Sequence, residues 1–245
     1  MCTVSYIPAQ QGFQLASNRD EHVGRGIALF PRTRYIKGKP VLFPLDPKGN
    51  GTWIAIDFFG RVACLLNGAV QKHHSNPPYR MSRGLVLLDS FAFVPAKRFY
   101  DEYDLTGIEP FTLVLAEPGG FLAELLWTGA EKQWRQLNGA EVHQWSSVTL
   151  YEPDLAARKK AHLLQRLPSD RLLSVADLAD VHNDFLYDKW IDQAAAAPQV
   201  HTLSTTVVHM QRDRFELYYA DRWHRPDFFE HLSGPVLSRD QLSAS

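Results

Sequence analysis

One thiol and one four-residue run carry most of the chemistry this chain could perform. The thiol is Cys2, and the run is Asn18-Arg19-Asp20-Glu21, directly after the apolar stretch Phe13-Gln14-Leu15-Ala16-Ser17. A small second residue normally permits removal of Met1, and Cys2 then carries a nucleophile and a base together. A thiol is mostly protonated at neutral pH while an α-amine titrates near about pH 8, so the amine can take the proton of its own side chain. A neighbouring guanidinium pushes the same way, because positive charge favours thiolate. Arg19 is the candidate, since a hairpin of two short strands brings position 2 close to position 19. Asp20 is then placed to orient the amine or to bind a substrate group. Taken singly, a Cys at position 2 reads as an incidental terminal residue and Arg-Asp-Glu as a solvated turn; together they point to a site. A polar pair just past a strand end is also expected to stay exposed at little cost.

The elements that must position these groups are legible in outline. Cys2 to Ile7 and Phe13 to Ser17 read as a hairpin around Pro8-Ala9-Gln10-Gln11-Gly12, and Thr52 to Phe58 and Arg61 to Leu66 as a second one joined by Phe59-Gly60. Arg83 to Phe91 follows Ser82, a good N-cap, and is expected to be helical. Phe111 to Ala116 and Phe121 to Thr128 form a third hairpin through Glu117-Pro118-Gly119-Gly120. Beyond it Leu155, Leu163, Leu164 and Leu167 recur at helical spacing, with Lys159, Lys160 and Arg166 on the opposite face and Pro168 as the stop. Ser174 to Tyr187 reads as a helix capped by Ser174 with Asp177. The tract Ala194 to Pro198 reads as a linker or helix end. Thr202 to Gln211 and Arg214 to Ala220 close the chain as a hairpin turning at Arg212-Asp213. Gln71 to Tyr79 reads as an exposed loop. Strands first, helices in the middle and strands last imply layered architecture with antiparallel sheets.

Composition bounds the function classes. A chain of 245 residues that is 45% hydrophobic can bury a large core, and one domain spanning 1–245 is the expectation. Net charge is −1 and no basic block exceeds Arg158-Lys159-Lys160, which argues against a nucleic-acid partner. No stretch approaches about 18 apolar residues and no leader pattern precedes the first strand, so stable membrane insertion is not expected and a cytoplasmic location is. Two cysteines, Cys2 and Cys64, fit a reducing compartment, with Cys64 in the apolar run Arg61 to Asn67 read as core. Ten histidines are present, but His73-His74 are adjacent in a Pro/Asn loop and no His-Glu-x-x-His or paired Cys spacing occurs, so no zinc site is expected. His182-Asn183-Asp184 and His201 read as helix-end or surface residues. The tail aromatics Phe215, Tyr218, Tyr219, Trp223, Phe228 and Phe229 read as core and edge packing. Gly49-Asn50-Gly51 lacks the length and the following Lys of a phosphate loop.

Several of these residues fall in a known order. Met1-Cys2, Asn18-Arg19-Asp20-Glu21, Arg25, Gly51-Thr52-Trp53-Ile54-Ala55-Ile56 with Gly60-Arg61, Asn67, and Ser82-Arg83-Gly84-Leu85-Val86 resemble the NRDE, or transport and Golgi organization protein 2, family over the first 90 or so residues. The resemblance implies an α+β, N-terminal-nucleophile hydrolase-like fold: a four-layer αββα sandwich of two antiparallel sheets. In the wider class with an N-terminal Cys, such as choloylglycine hydrolases and penicillin V acylases, the Cys attacks an amide, Arg and Asp residues follow it, and Asn residues support the oxyanion. By that resemblance Cys2, Arg19, Asp20 and Asn67 are the expected catalytic residues, and Asn18, Glu21, Arg25 and Arg83 the expected substrate-binding ones.

The second half departs from the family pattern. Trp145-Ser146-Ser147 stands where Leu-Ser-Asn is usual, and Thr202-Leu203-Ser204-Thr205-Thr206 where Thr-Arg-Ser-Ser-Thr is usual, so Ser147 and Leu203 replace an Asn and an Arg. Two functions follow from the resemblance. One is hydrolysis of a nonpeptide C–N bond in a small-molecule amide, needing no cofactor. The other is non-catalytic binding and trafficking of haem or of a lipid such as acyl-CoA. A haem would take its axial ligand from Cys2, a Tyr, or a His such as His22, His201 or His209.

Overall fold

Two antiparallel sheets stack face to face, each covered on its outer side by helices. The computed structural model describes residues 2–168, 173–191 and 199–237; the tract Ala194 to Pro198 lies outside them. In chain order the strands are β1 (Cys2–Ala9), β2 (Gly12–His22), β3 (Leu29–Ile36), β4 (Lys39–Leu45), β5 (Ile54–Asp57), β6 (Val62–Asn67), β7 (Phe111–Glu117), β8 (Phe121–Trp127), β9 (Lys132–Asn138), β10 (His143–Ser146), β11 (Val200–Gln211), β12 (Arg214–Asp221) and β13 (Phe229–Pro235). The helices are α1 (Arg83–Ser90), α2 (Lys97–Glu102), α3 (Pro153–Arg166), α4 (Val175–Asn183) and α5 (Tyr187–Trp190). One sheet runs β10-β1-β2-β11-β12-β13 and the other β3-β4-β5-β6-β7-β8-β9.

The layers follow from alternation, since successive strand residues face opposite sides. On β1 and β2, Val4, Tyr6, Phe13 and Leu15 enter the inter-sheet core, where they meet Ile54, Ile56, Cys64, Leu66 and Val114 of the other sheet. Ile7 and Ala16 face outward and pack under Leu163 of α3 and Val175, Leu178 and Ala179 of α4. On the far sheet the outward residues Val41, Phe43, Ala55 and Leu65 are covered by Val86 and Leu87 of α1 and Phe99 of α2. The αββα order expected from the resemblance is therefore the observed one.

The same alternation governs the run at 18–21. Strand β2 extends to His22, so the run is strand, not the exposed segment past a strand end that the sequence implied. Arg19 is 4% exposed and Asp20 not at all. Cys2 stands opposite Arg19 in the β1–β2 register, and Thr3 opposite Asn18. On the other side β2 pairs with β11, where the register slips between Thr202, opposite Asp20, and Ser204, opposite Arg19. Leu203 is the extra residue of that bulge, a device that re-aims side chains next to sites.

Two further expectations change. Lys159 lies within α3 but is fully buried, not on a solvent face, whereas Leu164 is half exposed. His182 sits near the end of α4 as expected, yet it is fully buried and not a surface residue. The α4 start matches its expected cap: Ser174 Oγ accepts from Asp177 N, and Asp177 returns a carboxylate to Ser174 N. The helix ends at Asn183, and α5 is a separate turn. Ser82 precedes α1 as expected, but its hydroxyl bonds Gly49 O at 2.8 Å and leaves the helix start uncapped by a side chain.

Candidate functional site

A cavity of about 360 Å³ opens between the 19–25 segment, the ends of β4 and β6, and the start of α1. Arg19, Glu21, Arg25, Asn67 and Arg83 all line it. Alternation explains the selection within β2: residues 19 and 21 face the inter-sheet side, and residues 18 and 20 the helices. Asn18 accordingly is fully buried against α4, donating to His182 O at 2.9 Å and accepting from Thr205 Oγ1 at 3.0 Å. Asp20 accepts from Tyr151 Oη at 2.7 Å and from Thr202 Oγ1 at 2.6 Å. Neither lines the cavity. Asp20 is nevertheless one residue beyond Arg19, the register partner of Cys2.

The helix start is brought to the cavity by a backbone contact that only glycine permits. A Cβ on Gly84 would come within 2.7 Å of Thr52 N and 2.8 Å of Thr52 O, and one on Gly51 within 2.5 Å of the Gly84 carbonyl carbon. The Gly51-Thr52 and Arg83-Gly84 segments are thus pressed together, with Thr52 N donating to Gly84 O. Arg61 holds the other end of α1: its guanidinium bonds Ser90 O and Phe93 O, and Glu117 at 2.6 Å. Residues of the run from Gly51 to Arg83 that read as signature in the sequence therefore set where Arg83 stands.

Three guanidiniums and three carboxylates line the cavity, and they are unequally paired. Arg25 donates from Nε and Nη2 to Asp46 Oδ2 at 2.9 and 2.7 Å. Arg83 pairs with Glu109 at 2.9 Å and donates to Pro110 O at 3.0 Å. Glu109 also meets His73 Nε2 at 3.3 Å. Arg19 is the exception. Its guanidinium lies 4.5 Å over the Trp53 ring and 3.8 Å from Asp46 Oδ2, an oxygen already taken by Arg25, and it makes no hydrogen bond among the described residues. The Trp53 Nε1 is buried without a hydrogen-bond partner among the described residues. Asn67 ends β6, and its carbonyl accepts from Ser147 Oγ at 2.7 Å, so the residue that replaces the family's Asn braces the Asn67 backbone.

Electrostatics separates the two faces of β2. Burial pushes the Asp20 carboxyl up, against the opposing pull of the Lys159 charge and the Thr202 and Tyr151 hydroxyls. Burial acts upward on Glu21 as well, but the amino-terminal charge, then its hydrogen bond from His22 N and the nearby Arg19 and Arg25, leave it below the ordinary carboxylate value. Burial lowers Arg83, whereas the Asp46 bonds outweigh burial at Arg25 and raise it. On the cavity face, Glu21 and Arg25 are thus both favoured in their charged forms.

Asp46, Trp53, Tyr79 and Glu109 line the cavity without having been singled out from the sequence as site residues. Trp53 lies inside the Gly51-Thr52-Trp53-Ile54-Ala55-Ile56 motif; Asp46 and Glu109 are lone acids between strands and helices with no local pattern to mark them. The histidines among the haem-ligand candidates lie elsewhere. His22 accepts from Gly24 N at 3.0 Å, His201 stacks on Trp223 with ring centroids 4.1 Å apart, and His209 faces β2 and β12 mid-strand. Among the described residues no group of three His, Cys, Asp or Glu side chains could hold a metal ion, and no helix is long and apolar enough to cross a membrane.

Known proteins agree with this architecture. The chain superimposes on a mutant of conjugated bile acid hydrolase from Clostridium perfringens with a TM-score of 0.58, at 10% identity, covering 98% of this chain and 97% of that one. Penicillin V acylase from Agrobacterium tumefaciens gives 0.57 at 16% identity over 90% and 86% of the two chains. The Caenorhabditis elegans ortholog of N-acylethanolamine-hydrolyzing acid amidase gives 0.58 at 9% identity over 84% and 92%. At such identities the likeness establishes the N-terminal-nucleophile hydrolase-like fold. No curated protein matches the chain. The family model for Transport and Golgi organisation 2 matches residues 1–222, and the chain belongs to that family.

Proposed function

We propose that this chain is an N-terminal-cysteine hydrolase acting on the nonpeptide C–N bond of a small, polar amide. The observation that carries the reading is the Cys2–Arg19 register pair beside a cavity that Arg19 lines, where among the described residues its guanidinium is held by Asp46 at 3.8 Å and the Trp53 ring and by no hydrogen bond. A guanidinium that shares its carboxylate with Arg25 has capacity for a further anion, and a thiolate at position 2 is such an anion.

The chemistry then proceeds as follows. After loss of Met1 the Cys2 amine takes the thiol proton, with Asp20 as acceptor for the amine. The thiolate attacks the amide carbon, and Asn67 with neighbouring backbone N–H groups receives the oxyanion. Collapse breaks the C–N bond while the ammonium returns a proton to the leaving amine. Water, deprotonated by the amine, then cleaves the thioester to a carboxylic acid and restores the thiol. The structurally similar proteins carry the names hydrolase, acylase and amidase, which supports the same class of bond here.

The cavity favours this reading over haem or acyl-CoA carriage. Its volume of about 360 Å³ is at the small end of the roughly 300–1,000 Å³ range of ligand sites. Its lining is rich in charged side chains, and none of His22, His201 or His209 belongs to it. The test uses untagged protein whose intact mass shows loss of Met1. A panel of short acyl amides should be turned over by wild type and not by Cys2→Ala of equal thermal stability. Protein with a free Cys2 that hydrolyses nothing in a broad panel, yet binds haem or long-chain acyl-CoA tightly, would return the function to carriage.

A further inference from the structure

Lys159 presents a problem that the fold alone does not solve. Its ammonium has no solvent exposure, in a helix whose flanking residues Arg158 and Lys160 are exposed. Lysine is almost never fully buried unless its charge is met. Here Nζ donates to Thr3 Oγ1 at 2.5 Å and stands 3.7 Å over the Tyr151 ring. The Tyr151 hydroxyl donates to Asp20 Oδ2, and Thr202 closes the set on Oδ1. A continuous buried chain therefore runs from Thr3, the residue after Cys2, through Lys159 and Tyr151 to Asp20, the residue after Arg19.

We infer that Lys159 is a positioning residue of the proposed hydrolase: its charge keeps Asp20 ionised as the acceptor for the Cys2 amine, and its bond to Thr3 fixes the strand end that carries Cys2. This rests on the N-terminal-cysteine reading. Among the influences opposing burial of Asp20, the Lys159 charge is the largest, ahead of the Thr202 and Tyr151 hydroxyls. Burial in turn brings Lys159 down to about 8, held there against a further fall by Asp20. The other groups facing the pair do not replace that charge. The amino-terminal charge acts on Asp20 in the same direction but most weakly, burial holds the Tyr151 and Tyr187 phenols protonated and His182 neutral, and Arg222 bonds Thr205.

The sign of the effect is fixed. An ionised Asp20 raises the proton affinity of the neighbouring amine, which draws the proton from the thiol. Without the Lys159 charge Asp20 protonates at higher pH, the amine becomes a weaker base, and thiolate forms only nearer the ordinary thiol pKa of about 8.5. The experiment is the rate of Cys2 alkylation by iodoacetamide from pH 5 to 9, read by peptide mass on untagged protein lacking Met1, in wild type, Lys159→Gln, Lys159→Met, Asp20→Asn and Lys159→Gln/Asp20→Asn. Thermal unfolding confirms that each is folded. Lys159→Gln keeps a donor for Thr3 and serves if Lys159→Met does not fold.

The rising limb of the profile is expected to move up by at least about one pH unit in the Lys159 variants, a tenfold loss of rate below it. The double variant should be no slower than Asp20→Asn alone, since both act through one carboxylate. Wild-type profiles in the folded Lys159 variants, with Asp20→Asn slowed, would overturn the Lys159 assignment and leave the hydrolase reading standing. A double variant slower than either single would overturn it too, because the lysine would then act independently. A wild-type profile in Asp20→Asn would remove Asp20 from the amine and take both proposals' use of it away.

Discussion

Acid should unfold this protein in a way traceable to one imidazole. His182 has no solvent exposure, its Nε2 lies 3.0 Å from Ser5 Oγ and its Nδ1 3.4 Å from Asn18 Oδ1. Burial, helped by the charges of Lys159 and Arg222, depresses its pKa from 6.5 to about 3. The unfolded chain therefore binds a proton at His182 that the folded chain refuses throughout that interval. Stability rises with pH wherever the unfolded state holds more protons, so this group's contribution is complete above about pH 6.5 and is lost as pH falls towards 3. Integration gives a loss of about 1 kcal/mol at pH 5.5 and about 3 kcal/mol at pH 4.5 relative to pH 7.5. His182→Gln retains hydrogen-bonding capacity and has no charge to gain. Urea unfolding of both proteins at half-unit steps from pH 7.5 to 4.5 isolates the term as a difference in slope, since Asp20 and the surface carboxylates titrate in both. The variant should lose less stability than wild type over that range by the amounts above. Parallel curves would refute the placement of a neutral His182 in the α4–β2 interface.

Three other perturbations have expected outcomes. Gly84→Ala forces a Cβ to within 2.8 Å of two Thr52 backbone atoms that cannot rotate away; overpacking of this kind costs about 1–3 kcal/mol, read by thermal unfolding, and amide turnover should fall further because Arg83 moves with the helix. Asp46→Asn leaves Arg25 and Arg19 facing one another without their shared carboxylate; loss of charge-assisted bonds of about 1.5–3 kcal/mol should appear in urea midpoints at low salt and shrink as salt screens the arginines. Leu203→Arg restores the residue usual in the family at a 2% exposed bulge position next to Arg19. An unpaired buried guanidinium should destabilise the fold by about 3 kcal/mol or more, and a folded, more active variant would show that this site still accommodates the family's arrangement.

The sequence disclosed those parts of the fold whose signals are local. The Glu117–Gly120 and Arg212–Asp213 turns, the Ser174–Asp177 capping box and the core strands β5, β6, β7, β8, β11 and β12 all appear close to where residue patterns put them. The edge strands β3, β9, β10 and β13 did not announce themselves, because an edge strand is paired on one side and can carry charge on much of its length, as Lys132-Gln133-Trp134-Arg135 does. Strand β4 was masked by Pro40 and Pro44, and the β3–β4 turn by using Lys37-Gly38, both at positive φ, in place of the usual Asn-Gly. In the site, Arg19, Glu21, Arg25, Asn67 and Arg83 converge, but which residues of the 18–21 run face the cavity depends on β2 continuing to His22. Residue type misdirected the reading of Lys159 and His182. Polarity points Lys159 to a solvent face and His182 to a helix end or the surface, and what buries them are partners from distant parts of the chain: Thr3 and Asp20 for the lysine, Ser5 and Asn18 for the histidine.

The pairing of β2 has a consequence for the timing of maturation. On one side its partner β1 is immediate in sequence, but on the other side it is β11, and Thr202 meets Asp20 across a separation of 182 residues. Strand β10, the outer neighbour of β1, is likewise made more than a hundred residues after it. A growing chain can therefore form only an isolated two-stranded hairpin at its start, a structure marginal in water, until most of the polypeptide has left the ribosome at about 5–20 residues per second. On the proposed N-terminal-cysteine reading, removal of Met1 would have some ten seconds or more before the sheet closes on both sides of β1. Nascent-chain timing would then decide what fraction of molecules carries a free Cys2 amine. Production conditions that outpace the processing enzyme would yield a folded population in which Met1 still blocks it.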